Sequence, residues 1–437
     1  MKTIKKISIF LLLISLCFVC FSCSIDTSHR NPNYPEKPAE LKASRLLNNV
    51  EHSASGGEYI DQELIDELIN SSFDLYQIII SNNENNLTIS PISLYMAFSL
   101  LHMVGNDTVK KEVEELLGVD SSIIDSAKLV YQYLTKKVEL DNSVSLQPVY
   151  LSNSIWLDNI YTEFANQSVL DELAEKYYCY AYEAPFSSNN EQANQDIRAF
   201  IKEQTKGLID QDFDISDDTI FALINTLYFY ENWSKDKALD TKEDIFHLGK
   251  DTINVEYLIG PYTKGVVYKE KEGQAFYLET ENGYKLHIFM PNDGVSVSSM
   301  MNAEFFKKAL ESYNEYIFDG KKHYTKTIFP SFNVTSDYDV KDIIQGKGYL
   351  EHTFSYFNSE LLQEPLYVSE IIQKAKLKVD KKGVEGAAVT IISGNKSAGL
   401  PEQAIYQEFL VNKEFGYVLT SPDNIILFMG QITNPNK

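Results

Sequence analysis

Cysteine is scarce where it could matter. Four cysteines occur in 437 residues, and three of them, Cys17, Cys20 and Cys23, crowd the N-terminus. Only Cys179 lies beyond them, so that stretch can close no internal disulfide and must be held by packing. A C-x-x-C-x-x-C spacing would elsewhere suggest a metal or cluster site. Here it overlaps an apolar run from Ile7 to Phe21, so no metal is expected. Positive charge is short as well, with 39 Lys and Arg against 62 Asp and Glu and a formal charge of −23. That balance argues against nucleic acid and anionic membrane surfaces as partners; it serves solubility, or attraction to cationic proteins. Catalytic patterns are missing too. His29, His52, His102, His247, His287, His323 and His352 are scattered, and none forms an H-E-x-x-H pair. There is no G-x-S-x-G elbow and no phosphate-binding glycine loop. Cys179, in the aromatic run KYYCYAY, reads as a buried inert thiol, and Trp156 and Trp233 read as core. No enzyme and no cofactor is expected.

The chain is 44% hydrophobic and 12% aromatic, enough to bury a large core. It opens MKTIKKISIFLLLISLCFVCFSCS, where Lys2, Lys5 and Lys6 precede the apolar run. That is the pattern of a secretory signal peptide over residues 1–22, too short for a membrane span. Ser22-Cys23 resembles a bacterial lipoprotein cleavage site, which would make Cys23 the lipidated first residue of an exported chain. The expected location is the outer membrane or cell surface, or the medium, with membrane contact through a lipid anchor only. Residues 23–58 are rich in Pro, Asn, Ser and charge and read as a flexible tether. From there the pattern stays dense, so 59–437 is expected to be one domain and the protein a monomer.

Within it, Leu64, Ile65, Leu68, Ile69, Phe73, Tyr76 and Ile80 fall at helical spacing. Ser90 can cap a second helix, Pro91 suits its first turn, and Gly105 stops it. Thr108 begins another. FALINTLYFYENW (221–233) is apolar at nearly every position, which predicts a strand buried on both faces. YKLHIFMP (284–291) and NIILFMGQI (424–432) are similar. QKAKLKVDK (373–381) alternates, with Ala375, Leu377 and Val379 inward and Lys374, Lys376 and Lys378 outward. Helices come early and strands late, without strict βαβ order, so the fold class is α+β.

KKGVEGAAVTIISGNKSAG follows. Its inward set switches parity to Val384, Gly386, Ala388, Thr390, Ile392 and Gly394, so a turn is needed, and Gly383 can supply an unusual φ. Glu385 falls on the other parity, where it is expected to stay wet. The inward residues are small or β-branched, and no proline interrupts residues 383–400.

NLTISPISLYMAFSLLHMVGNDTVKKEVEELLGV, with its Ser-Pro-x-Ser start, resembles the helix that opens serpin cores. DIRAFIKEQTKGLID before FALINTLYFYENW, IFPSFNVTSDYDVKDIIQGKGY, YVSEIIQKAKLKVDKKGVEGAAVT and EFLVNKEFGYVLTSPDNIILFMGQITNP resemble further serpin blocks, in family order. The resemblance implies three β-sheets, eight to nine helices and an exposed reactive-centre loop. It implies a suicide substrate of serine proteases, with cysteine proteases as a possible further target class. The cut loop would insert as a strand of the central sheet and trap the acyl-enzyme. A non-inhibitory serpin, acting as a binding or structural surface protein, is the rival reading. The hinge would be Gly383, Val384, Glu385, Gly386, Ala387, Ala388, Val389 and Thr390. Family spacing from Gly383 puts the scissile bond between Ser397 and Ala398, which suits elastase-like or subtilisin-like enzymes. Cutting after Lys396 would suit trypsin-like ones. Ser90, Ser93 and Asn225 match the polar cluster where the sheet opens, with Gln373 in place of the usual His. Trp233 matches the aromatic where insertion begins. Lys381 stands where the family usually has an acid.

Overall fold

A computed structural model describes residues 59–80, 85–140, 144–233, 238–313, 317–318, 321–362, 365–368, 370–385 and 404–437. Residues 1–58, expected to be a signal peptide and a tether, lie outside these, Cys23 among them. So do hinge residues Gly386, Ala387, Ala388, Val389 and Thr390, together with Lys396, Ser397 and Ala398.

Helix α1 (Gln62–Ile80) buries the stripe that its spacing dictates, from Leu64 to Ile80. Helix α2 (Pro91–Val104) is buried almost all round, as an apolar helix must be when sheets lie on more than one side. Ser90 caps it, its Oγ accepting from the Ser93 N–H at 3.4 Å, and Pro91 opens the first turn. Gly105 ends it in extended rather than left-handed backbone, and a Cβ there would strike the Val109 side chain. The next helix starts at Asp107, one residue before Thr108, because the Asn106 side chain caps it. Helix α3 (Gln167–Tyr177) and helix α4 (Asn190–Gln204) follow.

The strands of two of the sheets include β1 (Val149–Asp158), β2 (Cys179–Ala184), β3 (Phe221–Asn232), β4 (Asp240–Leu248), β5 (Asp251–Lys264), β6 (Lys321–Pro330), β7 (Phe332–Asp339), β8 (Glu370–Val379), β9 (Gly383–Glu385) and β10 (Ala404–Leu410). Sheet A has six strands in the order β7-β8-β9-β3-β1-β2. Sheet B, also six-stranded, contains Lys285–Pro291 and Ile426–Ile432. Sheet C is built on β4-β5-β6, with β10 parallel to β6. Ten α-helices occur among the described residues, against the eight to nine implied. The excess arises where Ser126 parts Ser121–Asp125 from Ala127–Leu134, and from the short Val297–Met300 turn.

Both faces of β3 are covered. Helix α2 packs on the inner side, and α4 lies on the outer side, its Phe200 packed against Trp156 and Tyr182 beside Ala222 and Ile224. β8 keeps its alternation, with Ala375, Leu377 and Val379 buried and the three lysines half-exposed. Cys179 is fully buried and burial pushes its thiol far up, which removes it as a nucleophile. Leu101→Ala in α2 is expected to destabilise the native form by about 2–5 kcal/mol. Lys111→Ala on the surface should stay within about 0.5 kcal/mol. Urea unfolding followed by circular dichroism measures both.

Candidate functional site: the strand seam and its hinge

β8 and β3 run parallel and pair directly at Glu370–Ala222 and Ile371–Leu223, the only such pairs among the described residues. At the other end β9 lies between them. Its register is Lys378–Glu385 and Val379–Val384 on one side, and Gly383–Asn232, Val384–Glu231 and Glu385–Tyr230 on the other. The seam is therefore paired at one end and wedged at the other.

The N-terminus of α2 holds both sides of it. The Gln373 amide of β8 meets the Ser90 backbone twice: its Nε2 donates to the carbonyl at 2.9 Å, and its Oε1 accepts from the N–H at 3.3 Å. Ser93 Oγ donates to Asn225 Oδ1 on β3. Asn225 Nδ2 then donates to Asn153 Oδ1 on β1, and Asn153 Nδ2 to the Tyr177 carbonyl at the end of α3, at 2.6 Å. Next along, Ser336 Oγ on β7 accepts from the Thr88 N–H at 2.9 Å. The structure thus brings Ser90, Ser93, Asn225 and Gln373 together. It adds Asn153 and Ser336, which the sequence reading missed. A polar residue amid the apolar run VYLSNSIWLD was the available signal for Asn153.

A tight turn joins β8 to β9. Asp380 Oδ1 accepts from the Lys382 N–H at 2.7 Å, and the Asp380 N–H donates to the Gly383 carbonyl at 3.1 Å. Trp233, just past β3, clamps this turn. Its indole N–H donates to the Asp380 carbonyl at 2.7 Å and its backbone N–H to that of Lys382 at 3.1 Å. Lys378 Nζ pairs with Asp380 at 2.8 Å, an anchor on a different residue from the family acid that Lys381 replaces.

Two expectations are corrected here. Gly383 does not take a positive φ. Glycine is required because a Cβ would fall on the Glu231 carbonyl of β3, so close approach and not backbone angle selects it. Glu385 is not wet either; it is 8% exposed. Parity puts it on the outer face correctly, but that face is covered here. Burial pushes its carboxyl up to about 7, against the pull of Lys378, whose Nζ stands 3.8 Å away. Asp380 adds to the rise, and Lys382 and Lys376 oppose it. Val384 is fully buried on the inner face, and on that same face Glu231 is 1% exposed. Burial pushes Glu231 up to about 7 as well, although Asn282 Nδ2 donates to it at 2.9 Å. Glu281 raises it further.

The profile of the family "Serpin (serine protease inhibitor)" matches residues 67–435. Three large sheets, with a short strand wedged between β8 and β3 of one of them, define the class of protein. The chain belongs to the serpin family. It is 24% identical to human Serpin B4 over 83% of its length and 97% of that protein's. The native thermophilic serpin tengpin superposes with a TM-score of 0.72 at 22% identity, covering 90% of this chain and 99% of that one. Thyroxine-binding globulin in complex with thyroxine superposes at 0.68 and 19% identity, covering 85% and 99%.

Both raised carboxyls favour the seated hinge when protonated. Their contribution is complete below about pH 4.5, the ordinary Glu value, and is lost as pH rises through about 7. Trp233 emission should therefore report a tight hinge at about pH 5 and a looser one at about pH 8. Glu385→Gln should flatten part of that change, and adding Glu231→Gln the rest. A pH response identical in all three proteins would contradict the assignment.

Proposed function

We propose that this serpin is an inhibitory one, a suicide substrate for a serine protease. The observation that carries this reading is the wedge: Gly383–Glu385 already sits as a strand between β8 and β3. If that register continued on insertion, Gly386 would lie between Leu377 and Phe229, Ala388 between Ala375 and Leu227, Thr390 between Gln373 and Asn225, and Ile392 between Ile371 and Leu223. In the inserted state proposed, small or β-branched residues would thus meet the buried row of the sheet, and the Thr390 hydroxyl would meet the polar cluster under α2. On the other face Val389 and Ile391 would meet Thr226 and Ile224, which line an apolar crevice beneath α4. Residues Gly383 to Lys396 would make a strand on the order of 45 Å long.

In the reaction proposed, the protease serine attacks the Ser397 carbonyl carbon. The bond to Ala398 breaks, Ala398 leaves as an amine, and Ser397 stays esterified to the enzyme. Threading of the freed strand into the seam then drags the protease away before water can cleave the ester. A small residue at Ser397 suits elastase-like or subtilisin-like pockets, and cutting after Lys396 suits trypsin-like ones. We further infer export, lipid attachment at Cys23 and a role at the bacterial cell envelope, from the leader sequence alone. The tether of residues 23–58 would hold the domain away from the bilayer.

Mixing the protein with elastase-like and trypsin-like proteases should give a complex that survives SDS, and mass spectrometry of it should place the cut. Cleavage without a complex would favour the non-inhibitory reading. Thr390→Arg, which would drive a charge into the seam, should convert the inhibitor into a substrate that is cut but forms no complex. Separately, Cys23→Ala should move the protein from the membrane to the soluble fraction and abolish labelling by a fatty acid.

A further inference from the structure

The outer face of sheet C carries an aromatic patch that the seam does not use. Cross-strand register puts Lys264, Tyr324 and Tyr406 in one row and Tyr262, Lys326 and Glu408 in the next, all on one face, with Lys322 beside them. The three tyrosines come from three strands and are half-exposed. Tyr324 stacks on Tyr406 with ring centroids 5.5 Å apart, and Tyr262 meets Tyr406 edge-on at 5.1 Å. Lys326 Nζ lies 5.2 Å from the Tyr262 ring centre and pairs with Glu408 at 2.6 Å. Lys264 and Lys322 are exposed. In a chain of formal charge −23, this face is basic and aromatic.

We propose that this face is a second docking surface for the target protease, one that receives an acidic patch beside the protease's active-site cleft. This rests on the inhibitory reading above. β10 is the strand that continues the reactive-loop sequence, and Tyr406 follows Ala398 by eight residues. At ~3.3 Å per residue, those eight span roughly 26 Å at most. A protease of about 220 residues has a radius of gyration of roughly 17 Å. An enzyme gripping the loop therefore overhangs β10 and its neighbours. Tyrosines already ordered against one another lose little freedom on being covered, and aromatic rings with a fringe of cations are the make-up of energetically dominant contacts. The acidic bulk and this basic face do different work. The bulk governs solubility, and the face selects a partner whose rim carries the opposite charge.

The test uses the full-length protein and whichever protease forms the SDS-stable complex. One variant combines Tyr262→Ser, Tyr324→Ser and Tyr406→Ser; a second combines Lys264→Glu and Lys322→Glu. Each should lower the association rate constant about tenfold, leaving unchanged the number of inhibitors consumed per enzyme. In the charge-reversal variant, added salt should raise the rate instead of lowering it. If the triple variant fails to fold, by its melting temperature, the charge-reversal pair decides, because both its residues are exposed. A complex formed at the parental rate by the folded variants overturns the docking surface alone. If no protease forms a complex, the inhibitory reading falls and this proposal falls with it.

Discussion

One helix N-terminus ties together two strands of the central sheet. Ser90 takes the Gln373 amide from β8, and Ser93 holds Asn225 of β3, so the first turn of α2 bridges the seam from below. The Gln373 bonds are buried and the Ser93 bond partly so, and a buried polar group left without a partner costs on the order of 1–3 kcal/mol. The cluster therefore resists opening until something replaces the lost partners. Small hydroxyls and amides can make that exchange, because each both donates and accepts. Apolar side chains at these four positions would pack as well but would have nothing to exchange.

The hinge is held differently. Its turn is tied by backbone hydrogen bonds and by the Trp233 indole, while the strand it leads into is short and carries a buried carboxyl on its outer face. A second buried carboxyl, Glu231, flanks the same rung from the inner side. Rigid anchoring and electrostatic reluctance therefore meet within a few residues. Segments that move are drawn from the less stable parts of a fold, and on the inhibitory reading Glu385 and Glu231 would supply that lower stability here.

Much of this was legible beforehand. The periodicities of α1, β3 and β8 are strong because each element faces one environment along its whole length. Ser90, Ser93, Asn225, Gln373 and Trp233 do gather around the seam and its hinge. Failures came where a rule about direction was asked a question about surroundings. Parity placed Glu385 outward but could not say that outward is covered there. Glycine at 383 signalled constraint, yet a sequence does not distinguish a positive φ from a neighbouring carbonyl. Asn153 was visible only as an oddity in an apolar run. The sheet C tyrosines, at 262, 324 and 406, gave no local signal at all, because only strand register brings them together.

The unequal pairing of the seam would divide any opening of it into stages. Residues flanked by Leu377 down to Gln373 would enter a stretch where β8 and β3 share no direct ladder pair among the described residues. At Ile371–Leu223 and Glu370–Ala222 the ladder closes, and a strand advancing past Thr390 must unpick it. On the inhibitory reading, the fold would thus contain its own checkpoint: a shallow first half of the path, reversible in principle, and a cooperative second half that commits the molecule.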